Sequence, residues 1–134
     1  MVGMLIDSSV YAALFNTQDV LHKATLDFTA GLNERETRVI LPRLVLIEVT
    51  NVLYRRGVLD LELLERSMSD AVLVELTESV HEEVRLLLEK VSLKTADLLL
   101  VAWAKLYEVE LVSWDRQLVR EANKVVRAYT PKDR

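Results

Sequence analysis

The chain has 134 residues, about half of them apolar, and a formal net charge of −4. That size and composition suit one domain, residues 1–134, built around its own core, and argue against disorder. Cysteine is absent, which excludes a disulfide framework, zinc–thiolate sites and a thiol nucleophile. The acidic balance argues against a module that holds nucleic acid by bulk charge; it remains compatible with a nuclease whose acids gather where cations offset them.

The stretch from Met1 to Asp7 has no basic region and meets a charge too early for a signal peptide. Met4-Leu5-Ile6 reads as the first strand, followed by helical patterns from Ser8 to Phe15 and from His22 to Leu32. Arg38-Val39-Ile40-Leu41 is a second strand. Pro42 then opens a helix from about Arg43 to Arg56, which Gly57 stops. Asp60 is placed to cap a helix from Leu61 to about Ser69, and Ala71 to Leu76 forms a third strand. Ser79 and Glu82 have capping-box spacing ahead of an apolar face made by Val80, Val84, Leu87, Leu88 and Val91. Thr95 can cap a helix to Tyr107. Its run from Leu98 to Ala104 is the longest apolar stretch and far too short to span a membrane. Glu110 to Ser113 is a fourth strand, Asp115 can cap a helix to Lys124, and Val125 to Tyr129 closes the series.

The strands lack alternation, which implies burial on both faces. Strands alternating with helices imply a central parallel sheet of about five short strands in a three-layer α/β/α sandwich. These features describe a soluble, cytoplasmic protein. Neither GxxxxGK[ST] nor GxGxxG occurs, so the common nucleotide-binding folds are disfavoured. In a parallel sheet, ligands bind at the carboxyl ends of the strands.

Asp7 and Asp115 both fall at that edge, one directly after the first strand and one after the fourth. Each also stands where an aspartate caps a helix. Glu48 lies among Leu44, Val45, Leu46, Ile47, Val49, Val52 and Leu53. A glutamate in such company either binds a partner or metal, or belongs to a narrow polar stripe with Asn51 and Arg55. Asp97 heads the most apolar helix, where an acid also favours the helix dipole. Together the four acids describe a site whose mutual repulsion should raise at least one pKa in the absence of a cation. Oxygen ligands alone select Mg²⁺ or Mn²⁺ over zinc.

The order Leu5-Ile6-Asp7-Ser8-Ser9-Val10, Ile47-Glu48-Val49, Lys94-Thr95-Ala96-Asp97 and Val112-Ser113-Trp114-Asp115-Arg116 resembles the PIN-domain ribonucleases. Within them it is most similar to the VapC-type toxins of toxin–antitoxin pairs, and the resemblance runs from Met4 to near Tyr129. It implies a PIN-like fold and an acidic metal site in which Asp7, Glu48, Asp97 and Asp115 are both ligands and catalytic residues, with Ser9 and Ser113 supporting them. It further implies hydrolysis of RNA to 5′-phosphate and 3′-hydroxyl ends, a small antitoxin over the acidic cleft, and a homodimer. Arg116-Gln117-Leu118 lacks the additional acid that some members carry there, which leaves a second metal site open.

Arg43, Lys94 and Arg116 lie close to an acid or a strand end and are candidates for holding flanking phosphates; each reads equally as a surface charge. Trp114 can stack a base, whereas Trp103 belongs to the core. His22 and His81 lack ligand spacing. Three other readings share parts of the pattern. An RNA-processing nuclease without an antitoxin would use the same site. A non-catalytic PIN-like binding module would be favoured by a missing acid, and none of the four is missing. A receiver domain would show paired acids after its first strand, and Asp7 has no acidic neighbour.

Overall fold

The computed structural model describes residues 3–57 and 60–133. Five strands form one parallel sheet in the order β3-β2-β1-β4-β5: β1 (Gly3–Ile6), β2 (Arg38–Pro42), β3 (Val72–Val74), β4 (Glu110–Val112) and β5 (Ala128–Tyr129). β1 takes the centre because Met4, Leu5 and Ile6 are apolar and buried, so helices can cover both of its faces.

From β1 the chain moves one way through β2 to β3, then returns to β4 on the other side of β1. Right-handed crossovers therefore put α1 (Ser8–Phe15), α2 (His22–Glu34), α3 (Arg43–Arg55) and α4 (Leu61–Ser67) on one face. By the same rule α5 (Glu78–Leu87), α6 (Thr95–Leu106) and α7 (Arg116–Ala122) cover the other. The order reverses between β1 and β4, the position at which doubly wound sheets open a crevice at their carboxyl ends. In α3, Val45, Val49 and Leu53 repeat at four-residue spacing and are fully buried, which fixes the helix's rotation and leaves Glu48 on its flank. α6 is buried over most of its length. Its Trp103 is 1% exposed and donates its indole N–H to the Glu75 carbonyl at 3.1 Å.

Several sequence expectations need correction. The cap of α5 is Thr77, whose hydroxyl accepts from the Val80 N–H; the Ser79–Glu82 spacing sits two residues too late. Leu88 is 60% exposed and is not part of the apolar face. Thr95 is the first residue of α6, and the cap position belongs to Lys94, which makes no side-chain capping bond. β3 is an edge strand of three residues with Val72 and Leu73 both exposed, so burial on both faces fails there. Val125 and Val126 precede β5 in a turn. Asp60 and Asp115 do cap α4 and α7.

The two sheet edges differ. At β5 the Asn123 amide donates to the Ala128 carbonyl at 2.8 Å and accepts from the Ala128 N–H at 2.9 Å. One side chain thus occupies the positions a neighbouring strand would use. β3 has no such cover among the described residues. No helix among the described residues is long and apolar enough to cross a membrane.

Candidate active site

Asp7 lies at the carboxyl end of β1, where its N–H bonds the Val112 carbonyl at 2.9 Å and aligns the ends of β1 and β4. Its carboxylate is buried and thoroughly partnered. Oδ1 accepts from the Ser8 N–H at 2.7 Å, capping α1, while Oδ2 accepts from the hydroxyls of Ser9 at 2.9 Å and Ser113 at 2.7 Å. The capping reading of Asp7 therefore holds on Oδ1, while Oδ2 is turned to the two serines. Ser113, fully buried, also accepts from the Asp115 N–H at 3.0 Å, and Ser9 accepts from the Trp114 N–H at 3.1 Å. The two serines, 3.3 Å apart, lace the β1–α1 turn to the β4–α7 loop. Asp115 caps α7 through the N–H groups of Gln117 and Leu118, and its carboxylate is exposed.

Glu48 on α3 and Asp97 in the first turn of α6 complete the group. Burial raises the Glu48 pKa, and the charges of Asp7 and Asp97 raise it further. Asp97 is raised by burial first, then by Asp7 and Asp115, with Lys94 opposing. These couplings link all four acids, carried on four different elements, across one edge of the sheet. Neither Glu48 nor Asp97 has a hydrogen-bond or ion-pair partner among the described residues. Asp97 and Asp115 face one another across a cleft of about 260 Å³ that Lys94 and Gln117 also line.

The donor set is all carboxylate oxygen, which fits a hard divalent ion. Two of its members are held above their ordinary pKa by burial and then by neighbouring negative charge, and a cation would offset the second of these. Among the described residues no three acidic or histidine side chains stand as a closed ligand set.

A family model described as PIN domain matches residues 4–124. The chain belongs to the PIN-domain family. Solved structures agree with this PIN fold. A toxin–antitoxin complex from Klebsiella pneumoniae superposes with a TM-score of 0.75 at 16% identity, covering 96% of this chain and 97% of that one. VapC20 of Mycobacterium tuberculosis, described as a sarcin–ricin loop cleaving toxin, gives 0.70 at 18% identity over 87% and 93%. VapBC2 of Rickettsia felis, bound to a DNA fragment of its promoter, gives 0.71 at 13% identity over 96% and 98%. No curated protein sequence matches the chain.

The three basic candidates of this PIN domain are placed differently. Lys94 lines the acidic cleft. Arg116 pairs with Asp133 at 3.6 Å. Arg43 is held in a bidentate pair by Glu75, with Nε 2.8 Å from Oε1 and Nη2 2.9 Å from Oε2, so its charge is already compensated. Trp114 is half-buried, and its indole N–H donates to the Thr25 hydroxyl at 2.9 Å. His22 donates from Nδ1 to the Ala13 carbonyl at 2.9 Å, joining α1 to α2.

Two residues that sequence reasoning passed over help to position the site. Thr25 braces Trp114, next to Asp115, while its own hydroxyl donates to the Leu21 carbonyl at 2.7 Å. The signal was present: Thr25 shares the buried face of α2 with Phe28 and Leu32, a polar residue in an apolar stripe. Glu121 on α7 accepts from the Ser92 N–H at 2.7 Å and pins the segment leading into Lys94 and Asp97. Its partner is 29 residues away, and no local pattern announces it.

Proposed function

We propose that this PIN domain is a metal-dependent endoribonuclease and the toxin of a toxin–antitoxin pair. The observation that carries the reading is the grouping of Asp7, Glu48, Asp97 and Asp115 from four elements, two of them bearing pKa values raised by burial first and then by the others' charge. The all-oxygen set would hold Mg²⁺ or Mn²⁺. When bound, such an ion supplies charge neutralisation at a phosphodiester and activation of water for in-line attack.

The protein groups have distinct tasks. Ser9 and Ser113 fix both the rotation of the Asp7 carboxylate and the path of the loop that carries Asp115. Orienting contacts of this kind support a metal site's own ligands. Lys94, which lines the cleft, would offer an ammonium to a phosphate next to the scissile one. Ribonuclease activity is favoured because VapC20, with the same fold, is described as cleaving the sarcin–ricin loop. The toxin role is supported by the complexes with antitoxins among the similar structures. An antitoxin suited to this site would bring a basic side chain to the acids.

Cleavage of labelled RNAs by the purified chain in Mg²⁺, Mn²⁺ or EDTA, beside folded Asp97→Asn, tests the proposal. Cutting should require metal and vanish in the variant. Equal activity in Asp97→Asn would sink the assignment, and absence of both cutting and Mn²⁺ binding would favour a non-catalytic module. Induced expression should arrest growth with the native chain and not with Asp97→Asn. The native size of the purified protein should be twice its 15.4 kDa chain mass if it forms the homodimer.

A further inference from the structure

A second concavity, of about 700 Å³, lies between one face of α2 and the segment around β5. Arg35, Arg127 and Lys132 line it against a single acid, Asp27, a local excess of positive charge in a chain whose net charge is −4. Arg35 and Lys132 have no ion-pair or hydrogen-bond partner among the described residues. Arg127 is held in place by Glu110 at 2.7 Å and by the Tyr129 ring at 5.3 Å, yet its side chain stays 68% exposed.

The groove is also kept open. Gly31 lines it from inside α2, where glycine costs a helix about 1 kcal/mol relative to alanine. A Cβ at Gly31 would already lie 3.7 Å from Nη2 of Arg35, so a larger side chain would fill the space in front of the guanidinium.

Both ends of the groove's walls connect to the acidic edge. Ala24, which lines the groove, adjoins Thr25, the residue that holds Trp114 beside Asp115. Lys132 adjoins Asp133, the partner of Arg116. From Ala24 to Arg35 the chain rises about 16 Å at roughly 1.5 Å per residue, so the α2 wall of the groove is about three turns long.

We propose that this groove carries the phosphate backbone of the RNA strand away from the cleavage site, with Arg35 and Lys132 as its phosphate contacts and Arg127, held by Glu110, as part of its wall. The inference rests on the ribonuclease reading and extends it to a substrate path. Guanidinium groups suit phosphate oxygens, and a free lysine adds a mobile charge. An acidic protein partner is the weaker fit, because none of the exposed large apolar side chains among the described residues, which such docking would bury, lines this groove.

The test separates this proposal from the reading beneath it. In an Asp97→Asn background, binding of a labelled RNA of about a dozen nucleotides is followed by fluorescence anisotropy over a range of salt. Adding Arg35→Glu with Lys132→Glu should weaken binding about tenfold or more. It should also flatten the log affinity against log salt slope by about 1.4, at roughly 0.7 per phosphate contact for a single strand. Gly31→Leu, which fills the groove without changing charge, should weaken binding several-fold, whereas Arg66→Glu on α4 should leave it unchanged. Unaltered affinity and slope in the double variant, with the native chain still cutting RNA in Mg²⁺, would overturn the groove and spare the nuclease. Unaltered RNA binding with lost binding of polyglutamate would overturn it in favour of an acidic protein partner. If the native chain neither bound nor cut RNA, both proposals would fall together.

Discussion

Two pairs of acids meet at the same edge of the sheet, and they are built in opposite ways. Asp7 and Asp115 begin helices: between them they accept from three backbone N–H groups and, at Asp7, from the hydroxyls of Ser9 and Ser113. Glu48 and Asp97 sit on the flank of α3 and in the first turn of α6 with no such donors, and burial and neighbouring charge hold their pKa values up. The first pair would keep its place with or without a ligand, because the fold itself uses it. The second pair is a standing cost to the fold that only a cation or a proton relieves. Chemistry and stability are therefore entangled at Asp7 and separable at Asp97.

The largest expected effect exploits that separation. Asp97→Asn and Glu48→Gln should each lower RNA cleavage by more than about a hundredfold, since the proposed function makes them metal ligands and even orienting partners are worth 10–100-fold. The same variants should melt at or above the native temperature in EDTA. A neutral replacement at a strained site gains about 0.5–2 kcal/mol, and half-exposure puts these two at the lower end. A drop of several degrees in melting temperature would break the comparison.

Asp7→Ala should lose activity and stability together. Removing a helix cap costs about 1 kcal/mol, and the buried Ser113 hydroxyl loses its acceptor at a further cost of about 1–3 kcal/mol. Ser113→Ala sharpens the same point. It leaves every carboxylate in place, and cleavage or Mn²⁺ affinity should fall about 10–100-fold because Asp7 and the Asp115 loop lose their shared contact. Unchanged Mn²⁺ affinity would mean the serine merely packs.

The pH dependence follows from the direction of the shifts. A carboxyl raised in the folded state binds its proton more tightly there than in the unfolded chain. Protonation then favours folding, and the benefit, complete below the unfolded pKa, is lost as pH rises through the folded one. The metal-free melting gap between Asp97→Asn and the native chain should thus be widest near about pH 7 and close towards about pH 4. Saturating Mg²⁺ should close it from the other side, adding about 2.7 kcal/mol to the native chain at a hundred times Kd. A gap indifferent to both would show that charge repulsion is not its source. The smallest effect belongs to Thr25→Val, which frees the Trp114 indole. Cleavage should fall a few-fold with metal affinity nearly intact, and Thr25→Ser should restore it.

Much of this was legible before any coordinates. Asp7 and Asp115 could be placed because each directly follows an apolar run at a strand's end, and Glu48 because a charge stood among Leu46, Ile47 and Val49. What escaped depends on contacts between distant segments. Thr77 wins the α5 cap from Ser79 because the chain enters the helix two residues earlier than the spacing suggests. Leu88 lies beyond the last turn of α5 and turns outward. β3 looked fully covered because Val72, Leu73 and Val74 are all apolar, but a strand's place in the sheet is not written in its own residues. The brace from Thr25 to Trp114 joins positions 89 residues apart.

The Asn123 bridge to Ala128 gives the sheet a direction of growth. A stray strand arriving beside β5 finds its hydrogen-bonding positions already filled by a side-chain amide, whereas one arriving beside β3 meets exposed Val72 and Leu73 and a bare backbone edge. Aggregation of partly unfolded protein should accordingly begin from the β3 side. A charged residue at Val72 would then improve solubility, and Asn123→Ala would give the molecule a second sticky end.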